Sequence, residues 1–145
     1  MALGNVTQIG LVVRNIADAA QAWSALLGVP VPEIITTDPV EKAHTEYQGQ
    51  PSTARAKLAF FHLGQVDIEL IEPLGEPSTW RDQLNAHGTS LHHIAFQIKG
   101  MKDQIAALAD LGLPLVQKGE YEGGRYAYLD AQEQLGTVLE LLEND

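Results

Sequence analysis

Four polar side chains interrupt apolar segments of the sequence at places where a core residue would be expected. They are Gln8, Glu69, His93 and Glu140. A carboxylate on the buried face of a strand is costly unless it is paired with a cation or coordinated to a metal. The alternative is that these strand faces are solvated, as they are in many half-polar strands.

An internal repeat relates these four positions to one another. Three pairs of segments match in order and in element type: 8–10 with 93–95, 27–31 with 111–115, and 68–72 with 139–143. The alternative is chance similarity between short apolar strings. Duplication predicts one domain, residues 1–145, made of two βαβββ modules at about 5–75 and 90–143. Gln8 then corresponds to His93, and Glu69 corresponds to Glu140.

The elements of the first module are predicted from apolar spacing and from breaker residues. Val6–Val13 has the composition of a buried strand, and Asn15 can cap the helix that follows it, which ends at Gly28. A short strand is expected near residues 34–37. The polar stretch 38–53 is predicted to be a long loop, a type of segment that often forms lids or binding surfaces. Residues 57–63 and 66–72 have the pattern of a hairpin with Gly64-Gln65 at its turn.

The pattern restarts in the second half of the sequence. We predict a short helix over 78–87, a strand over 92–98, a helix from Met101 to Leu111, and a second hairpin from 126–130 and 137–143. Strand alternation places Glu69 and Glu140 on one face, away from the apolar residues beside them. The same alternation predicts that His92 points away from His93 and serves in packing or hydrogen bonding rather than as a ligand.

Composition limits the classes of partner. The net charge is −10, with only nine Lys and Arg, which disfavours nucleic acid because its binding needs basic side chains. No apolar run approaches the ~18 residues of a membrane span, and the N-terminus does not resemble a signal peptide. With no cysteine in 145 residues, the chain fits a reducing compartment. We therefore expect a cytoplasmic protein that binds neither nucleic acid nor a membrane.

Three segments together resemble the vicinal oxygen chelate superfamily, which includes glyoxalase I, methylmalonyl-CoA epimerase, extradiol dioxygenases and bleomycin-resistance proteins. They are His92-His93-Ile94-Ala95-Phe96, residues 68–75 and residues 136–141. The resemblance spans nearly the whole chain and is greatest to methylmalonyl-CoA epimerase. It implies an α+β fold in which two βαβββ modules form a curved, half-barrel mixed sheet.

The resemblance also implies a metal site. Carried over by position, the ligands of one divalent ion are Gln8, Glu69, His93 and Glu140. One imidazole and three oxygen ligands suit Zn, Ni, Co, Mn or Mg, and they leave two coordination positions for a chelating substrate. Glu140 or Glu69 would serve as the catalytic base in an enediolate reaction. The expected enzyme is a lyase or isomerase similar to methylmalonyl-CoA epimerase or lactoylglutathione lyase, acting on a small chelating carbonyl or thioester.

Two features depart from the epimerase pattern. Epimerases have histidine where this sequence has Gln8, and the set Gln, Glu, His, Glu is that of the eukaryotic type of glyoxalase I. The 38–53 segment is longer than in epimerases, and neither Glu41 nor Glu46 aligns cleanly with their second catalytic glutamate. A single histidine in the set also disfavours extradiol ring cleavage, which uses two histidines and one carboxylate.

Residues expected around the substrate are Gln97, Tyr47, Arg55 and Arg125. Gln97 shares the face of His93, whereas the other three are placed where they can meet an anionic or polar end of a ligand. The family resemblance implies a homodimer. The alternative function is a metal-free protein that binds and sequesters a small molecule, similar to the bleomycin-resistance proteins, because an amide such as Gln8 is a poor metal ligand.

Overall fold

A computed structural model describes residues 2–145. These residues form a ten-stranded mixed sheet with five helices. The strands are β1 (Val6–Val12), β2 (Ile35–Thr36), β3 (Glu46–Tyr47), β4 (Gln50–Pro51), β5 (Arg55–His62), β6 (Asp67–Leu74), β7 (Ser90–Gln97), β8 (Leu115–Tyr121), β9 (Gly124–Ala131) and β10 (Thr137–Asn144). The helices are α1 (Ile16–Leu27), α2 (Val40–Ala43), α3 (Thr79–His87), α4 (Met101–Asp110) and α5 (Gln132–Leu135). The predicted α+β class and half-barrel sheet are confirmed.

The sheet is arranged about an antiparallel pair at its centre. Its strand order is β2-β5-β6-β1-β7-β10-β9-β8-β3-β4. β6 runs parallel to β1, and β10 runs parallel to β7. β5 and β9 are the antiparallel outer neighbours of β6 and β10. Strands of the first and second halves therefore mirror each other across the β1–β7 pair. The module boundaries at about 5–75 and 90–143 stay a prediction.

Helices α1 and α4 cover one face of the sheet, whereas Trp80 and Leu84 of α3 pack in a cluster with Val12, Ile71 and Val138 on the other, concave face. Leu70 of β6 packs in a cluster with residues of α1, and Leu141 of β10 packs with Leu108 of α4. Both leucines are fully buried, and burial of each contributes about 1.5–3 kcal/mol. Since side chains alternate along a strand, Glu69 and Glu140 face the opposite, concave side.

The predicted helix termini agree with the structure. Asn15 accepts a hydrogen bond from the backbone N–H of Asp18 at 3.0 Å, which satisfies one of the unpaired amides at the start of α1. Gly28 ends α1 in the left-handed conformation, with φ of 68°. Ser78 caps α3 in the same way, accepting from the N–H of Arg81 at 3.0 Å.

The 38–53 segment is not an irregular loop, so that expectation is wrong. It contains α2 and a small β3–β4 hairpin, and β3 pairs with β8 through Glu46–Lys118 and Tyr47–Gln117. The segment thus runs from β2 at one end of the sheet to β8 near the other end. Strand pairing at the far edge supplies the ordering that a polar local sequence does not reveal. β8 and α5 are also elements that the apolar pattern did not delineate.

In residues 2–145, no helix has the length and apolar content needed to cross a membrane.

Candidate functional site

The four predicted residues converge on the concave side of the central strands. His93 Nε2 lies 2.9 Å from Gln8 Oε1, 2.5 Å from Glu140 Oε2 and 3.5 Å from Glu69 Oε1. All four side chains are buried. Ligand atoms of Glu69, His93 and Glu140 lie within 4.8 Å of one another, a spacing that suits a single metal ion.

The cross-strand register explains how His93 reaches the centre of this cluster. Gly10 of β1 is paired with His93 of β7, and a Cβ atom added at Gly10 would lie 2.1 Å from His93 Cε1. The imidazole therefore lies directly over the Gly10 backbone, in space that any other residue would fill. Gly10 is a site residue that the sequence interpretation missed, although it lies beside Gln8 in the repeat.

A β-bulge precedes each ligand on the two central strands. The register shifts by one residue between Val6 and Gln8, and again between Gly10 and Leu11. Thr7 is the extra residue on β1, and His92 is the extra residue on β7. Bulges re-aim the neighbouring side chains and commonly border functional sites.

The bulge overturns the prediction that His92 points away from His93. The Nδ1 atoms of the two rings are 2.8 Å apart, and His92 Nε2 lies 3.1 Å from the Thr79 hydroxyl. Burial and the nearby His93 hold the pKa of His92 well below its usual range, so this ring is neutral. A neutral His92 that donates from Nε2 to Thr79 accepts at Nδ1. His93 must then donate from Nδ1, and its Nε2 lone pair faces the cluster.

The electrostatics of the cluster favour a cation. Burial, and secondly the charge of Glu140, raise the pKa of Glu69 from 4.5 to about 8. Burial tends to lower the pKa of His93, but the carboxylates of Glu140 and Glu69 outweigh this effect and raise it. Two carboxylates buried side by side repel each other, and a positive charge between them relieves that repulsion.

The donor set fits a divalent metal. The Gln8 amide atom that faces the cluster lies 2.9 Å from His93 Nε2, 3.2 Å from Glu140 Oε2 and 3.3 Å from Glu69 Oε1. With the amide oxygen inward, four lone-pair atoms converge, an arrangement that needs a cation at its centre. With the amide nitrogen inward, Gln8 instead donates to the acceptors around it. The chain can therefore satisfy the site in either state by rotating one amide.

A cavity of about 510 Å³ opens above the cluster. Gln8, Glu69 and Glu140 belong to its lining, together with a set of aromatic side chains: Phe60, Trp80, Tyr121, Tyr126 and Tyr128. Two of these tyrosines are held by hydrogen bonds. Trp80 Nε1 donates to the Tyr128 hydroxyl at 3.0 Å, and Gln117 Nε2 donates to the Tyr126 hydroxyl at 3.1 Å.

The sequence interpretation missed this aromatic wall, although a signal for it exists. Glu140 is paired across the strands with Tyr128, and Leu142 with Tyr126. Alternation along β9 therefore places both tyrosines on the concave face. The neighbouring Arg125 has the opposite parity.

The residues expected to contact substrate are divided between the cavity and other surfaces. Gln97 lies in the cavity lining. Tyr47 lies outside it and donates its hydroxyl to Asp82, and Arg55 donates from Nε to the carbonyl of Thr37 at 2.8 Å. Arg125 lies on a separate surface, where it pairs with Glu143 at 3.0 Å and with Asp145.

Known proteins share this architecture. A Bacillus subtilis (strain 168) protein named "Uncharacterized protein YqjC" is 29% identical over 144 residues, covering 97% of this chain and 93% of the relative. Hypothetical protein BH1468 from Bacillus halodurans C-125 has a crystal structure with a TM-score of 0.67 at 21% identity, covering 97% of this chain and 94% of that one. A Streptomyces coelicolor methylmalonyl-CoA epimerase variant in complex with 2-nitronate-propionyl-CoA has a TM-score of 0.66 at 20% identity, covering 99% of this chain and 96% of that one.

At these identities the solved structures establish the fold alone. The sequence profile of the glyoxalase/bleomycin resistance protein/dioxygenase superfamily matches residues 7–128, most of the chain. The half-barrel and the strand origin of the four clustered residues agree with that match. The chain therefore belongs to the glyoxalase/bleomycin resistance protein/dioxygenase superfamily.

Proposed function

We propose that the protein is a metal-dependent lyase or isomerase that works through an enediolate intermediate. The observation that carries this proposal is the buried cluster of Glu69, His93 and Glu140, with Gln8 as the fourth donor, at the base of the cavity. Two carboxylates neutralise a divalent charge, and the neutral imidazole adds a nitrogen ligand. The substrate is a small carbonyl compound or thioester with two neighbouring oxygens.

A divalent ion bound by the four residues would act as a Lewis acid on the substrate carbonyl and lower the energy of the enediolate. Glu69 takes the proton from the carbon beside the carbonyl. The C–H electron pair then forms a carbon–carbon double bond, and the carbonyl oxygen takes the negative charge. Return of the proton to the same carbon from the other face gives epimerisation, and return to the neighbouring carbon gives isomerisation.

Glu69 is the stronger candidate for the base. Its carboxylate lies 3.5 Å from His93 Nε2, whereas that of Glu140 lies 2.5 Å away and is the more tightly held. In the cluster without a metal ion, burial raises the pKa of Glu69 above its usual range, which makes its carboxylate a stronger proton acceptor. In this proposal Glu140, on the other half of the sheet, returns the proton from a different direction.

A second candidate function, metal-free sequestration of a small molecule, is favoured by the Gln8 amide. With its nitrogen inward, the Gln8 amide can donate its two hydrogens to the Glu140 and Glu69 carboxylates, at 3.2 Å and 3.3 Å, in the absence of a metal ion. The cavity then serves as a binding site only.

Solvent exchange distinguishes the two functions. Protein loaded in turn with Zn, Ni, Co and Mn is incubated in deuterated water with methylmalonyl-CoA, the hemithioacetal of glutathione and methylglyoxal, or 2-hydroxyacetophenone. We expect deuterium to enter the carbon beside the carbonyl of at least one compound, with loss of exchange in the Glu69→Gln variant. Binding of these compounds without exchange in any metal form would contradict the enzyme and favour sequestration.

A further inference from the structure

The cavity that would hold the substrate has acidic and aromatic walls and offers no cationic side chain. In the described residues 2–145, none of its lining side chains is a lysine, arginine or histidine. Five carboxylates line it: Asp38, Glu69, Glu120, Glu122 and Glu140. Glu69 and Glu140 belong to the proposed metal site. The remaining three, called here the rim carboxylates, are not ligands of the proposed metal site.

Two basic residues lie near the rim, and each contacts one of the rim carboxylates from outside the cavity. Lys42 Nζ lies 3.9 Å from Asp38 Oδ2, with an exposed side chain. His44 contacts the Glu120 carboxylate. Glu122 is exposed and has no ion-pair partner within residues 2–145. Lys42 offsets part of the rim charge from outside, and neither Lys42 nor His44 belongs to the cavity lining.

The lining of this cavity is not suited to anionic ligands. Phosphates and carboxylates are bound by arginine forks, by lysine or by free backbone N–H groups at a helix N-terminus. The first N–H of α3, which belongs to Thr79 beside the cavity, donates to Gln117 Oε1 at 2.8 Å and is therefore taken. Arg125, which we predicted from the sequence to meet an anionic or polar end of a ligand, pairs with Glu143 on another surface.

The aromatic part of the wall suits an uncharged or a positively charged body. Phe60 and Tyr121 stand with Leu58 and Leu142 in the lining. Aromatic faces attract cations through the ring quadrupole, and neighbouring carboxylates add to that attraction. The net charge of −10 acts in the same direction over longer range.

We infer that the substrate is a chelating molecule with two neighbouring oxygens on an uncharged or cationic body, and that it is not a CoA thioester or a glutathione adduct. This inference rests on the proposed function, since it concerns the same cavity. A CoA thioester would carry its phosphates past the rim carboxylates, and a glutathione adduct would bring two carboxylates to the same wall.

Matched chelators test this charge preference directly. We would use three benzohydroxamic acids, in which the chelating oxygens are constant: the 4-aminomethyl, the unsubstituted and the 4-carboxy compounds. Dissociation constants for metal-loaded protein are measured by calorimetry at low salt. We expect the aminomethyl compound to bind about tenfold tighter than the carboxy compound, with the unsubstituted compound between them.

Two variants locate the source of the preference. Replacing two of the three rim carboxylates, Asp38→Asn with Glu122→Gln, should reduce the ratio to about threefold. The matched control is Glu133→Gln on α5, an exposed residue outside the cavity lining with the same loss of charge, and it should leave the ratio unchanged.

The outcomes separate the inference from the function on which it rests. Equal affinities, or tighter binding of the carboxy compound, would overturn the inference while leaving a chelating metal site in place. A tenfold preference that is undiminished in the double rim variant would also overturn it. Failure of all three hydroxamates to bind metal-loaded protein would overturn the proposed function, and the inference would fall with it.

Discussion

The two central strands have the same backbone geometry but carry different side chains. Each has a bulge immediately before its ligand, at Thr7 before Gln8 on β1 and at His92 before His93 on β7. The Thr7 hydroxyl is 3.4 Å from the Ala95 carbonyl, a weak contact. His92 instead bonds to both His93 and Thr79. The backbone repeat thus places the ligands, and the side chains make the second half the more tightly bonded one.

The same contrast extends to the neighbouring strands. Phe60 is paired with Glu69 in the first half, and Tyr128 is paired with Glu140 in the second. Tyr128 accepts a hydrogen bond from Trp80, whereas Phe60 has no polar group. The site therefore has one loosely held carboxylate, Glu69, and one tightly held carboxylate, Glu140. We take this asymmetry to be the basis for dividing the roles of base and anchor.

The largest expected effect comes from neutralising the two glutamates separately. Glu69→Gln at saturating metal should lower the deuterium-exchange rate by about a thousandfold, because it removes the base while leaving an oxygen ligand. Glu140→Gln should mainly weaken metal binding, so that its exchange rate recovers as metal is added. The opposite pattern would assign the base to the second half of the sheet.

The looser carboxylate also predicts how stability depends on pH. The pKa of Glu69 is raised from 4.5 to about 8 in the folded state, so its contribution is fully present below 4.5 and is lost as pH rises through 8. In chelator-treated protein, the unfolding free energy should fall over this range by a few kcal/mol relative to Glu69→Gln. Urea unfolding at pH 5, 7 and 9 measures the difference, and parallel pH curves for the two proteins would contradict it.

Residues opposite each ligand give a matched pair of substitutions. Gly10→Ala should destabilise the protein by about 1–3 kcal/mol and weaken metal binding, because the new methyl group occupies the place of the His93 ring. Ala95→Gly, opposite Gln8, should cost only about 0.5–1 kcal/mol through backbone flexibility. In a His93→Ala background the Gly10→Ala penalty should disappear. A penalty that persists there would mean that the strain has another source.

The smallest expected effect tests the hydrogen bond that His93 donates to His92. His92→Ala should weaken metal affinity by about tenfold, because His93 loses the partner that fixes its tautomer. His92→Asn, which retains a hydrogen-bonding side chain, should recover part of that loss. Competition with a coloured chelator measures both affinities. Equal affinity in the alanine variant and the parent protein would reduce His92 to a packing residue.

Much of the site was predictable because the internal repeat and the strand alternation that define it can be recognised in the sequence itself. The repeat aligned Gln8 with His93 and Glu69 with Glu140, and strand alternation assigned both carboxylates to one face. The fold followed from the family resemblance together with the breaker residues between strands. The strand faces and helix boundaries depend on periods of two or about four residues, which are visible in a single sequence, whereas the ligand set came from the internal repeat and the family resemblance.

The remaining features depend on register, which a single strand does not reveal. The bulge at His92 arises from its pairing with β1, and simple alternation therefore assigns its side chain to the wrong face. Arg125 was chosen because it could meet an anionic end of a ligand, but it has the opposite parity to Tyr126 on β9, and Tyr126 is the residue that lines the cavity. Tyr47 lies outside because the 38–53 segment crosses to β8, a contact between distant parts of the chain.

Metal content tests the central claim most directly. Tag-free protein purified without chelator is measured by elemental mass spectrometry beside Gln8→Ala and His93→Ala. We predict about one divalent ion per chain in the parent protein, weaker retention in Gln8→Ala and none in His93→Ala, since His93 contacts all three other donors. Absence of a bound ion in the parent protein, even after incubation with Zn, Ni, Co and Mn, would contradict the metal site and leave sequestration as the function of the cavity.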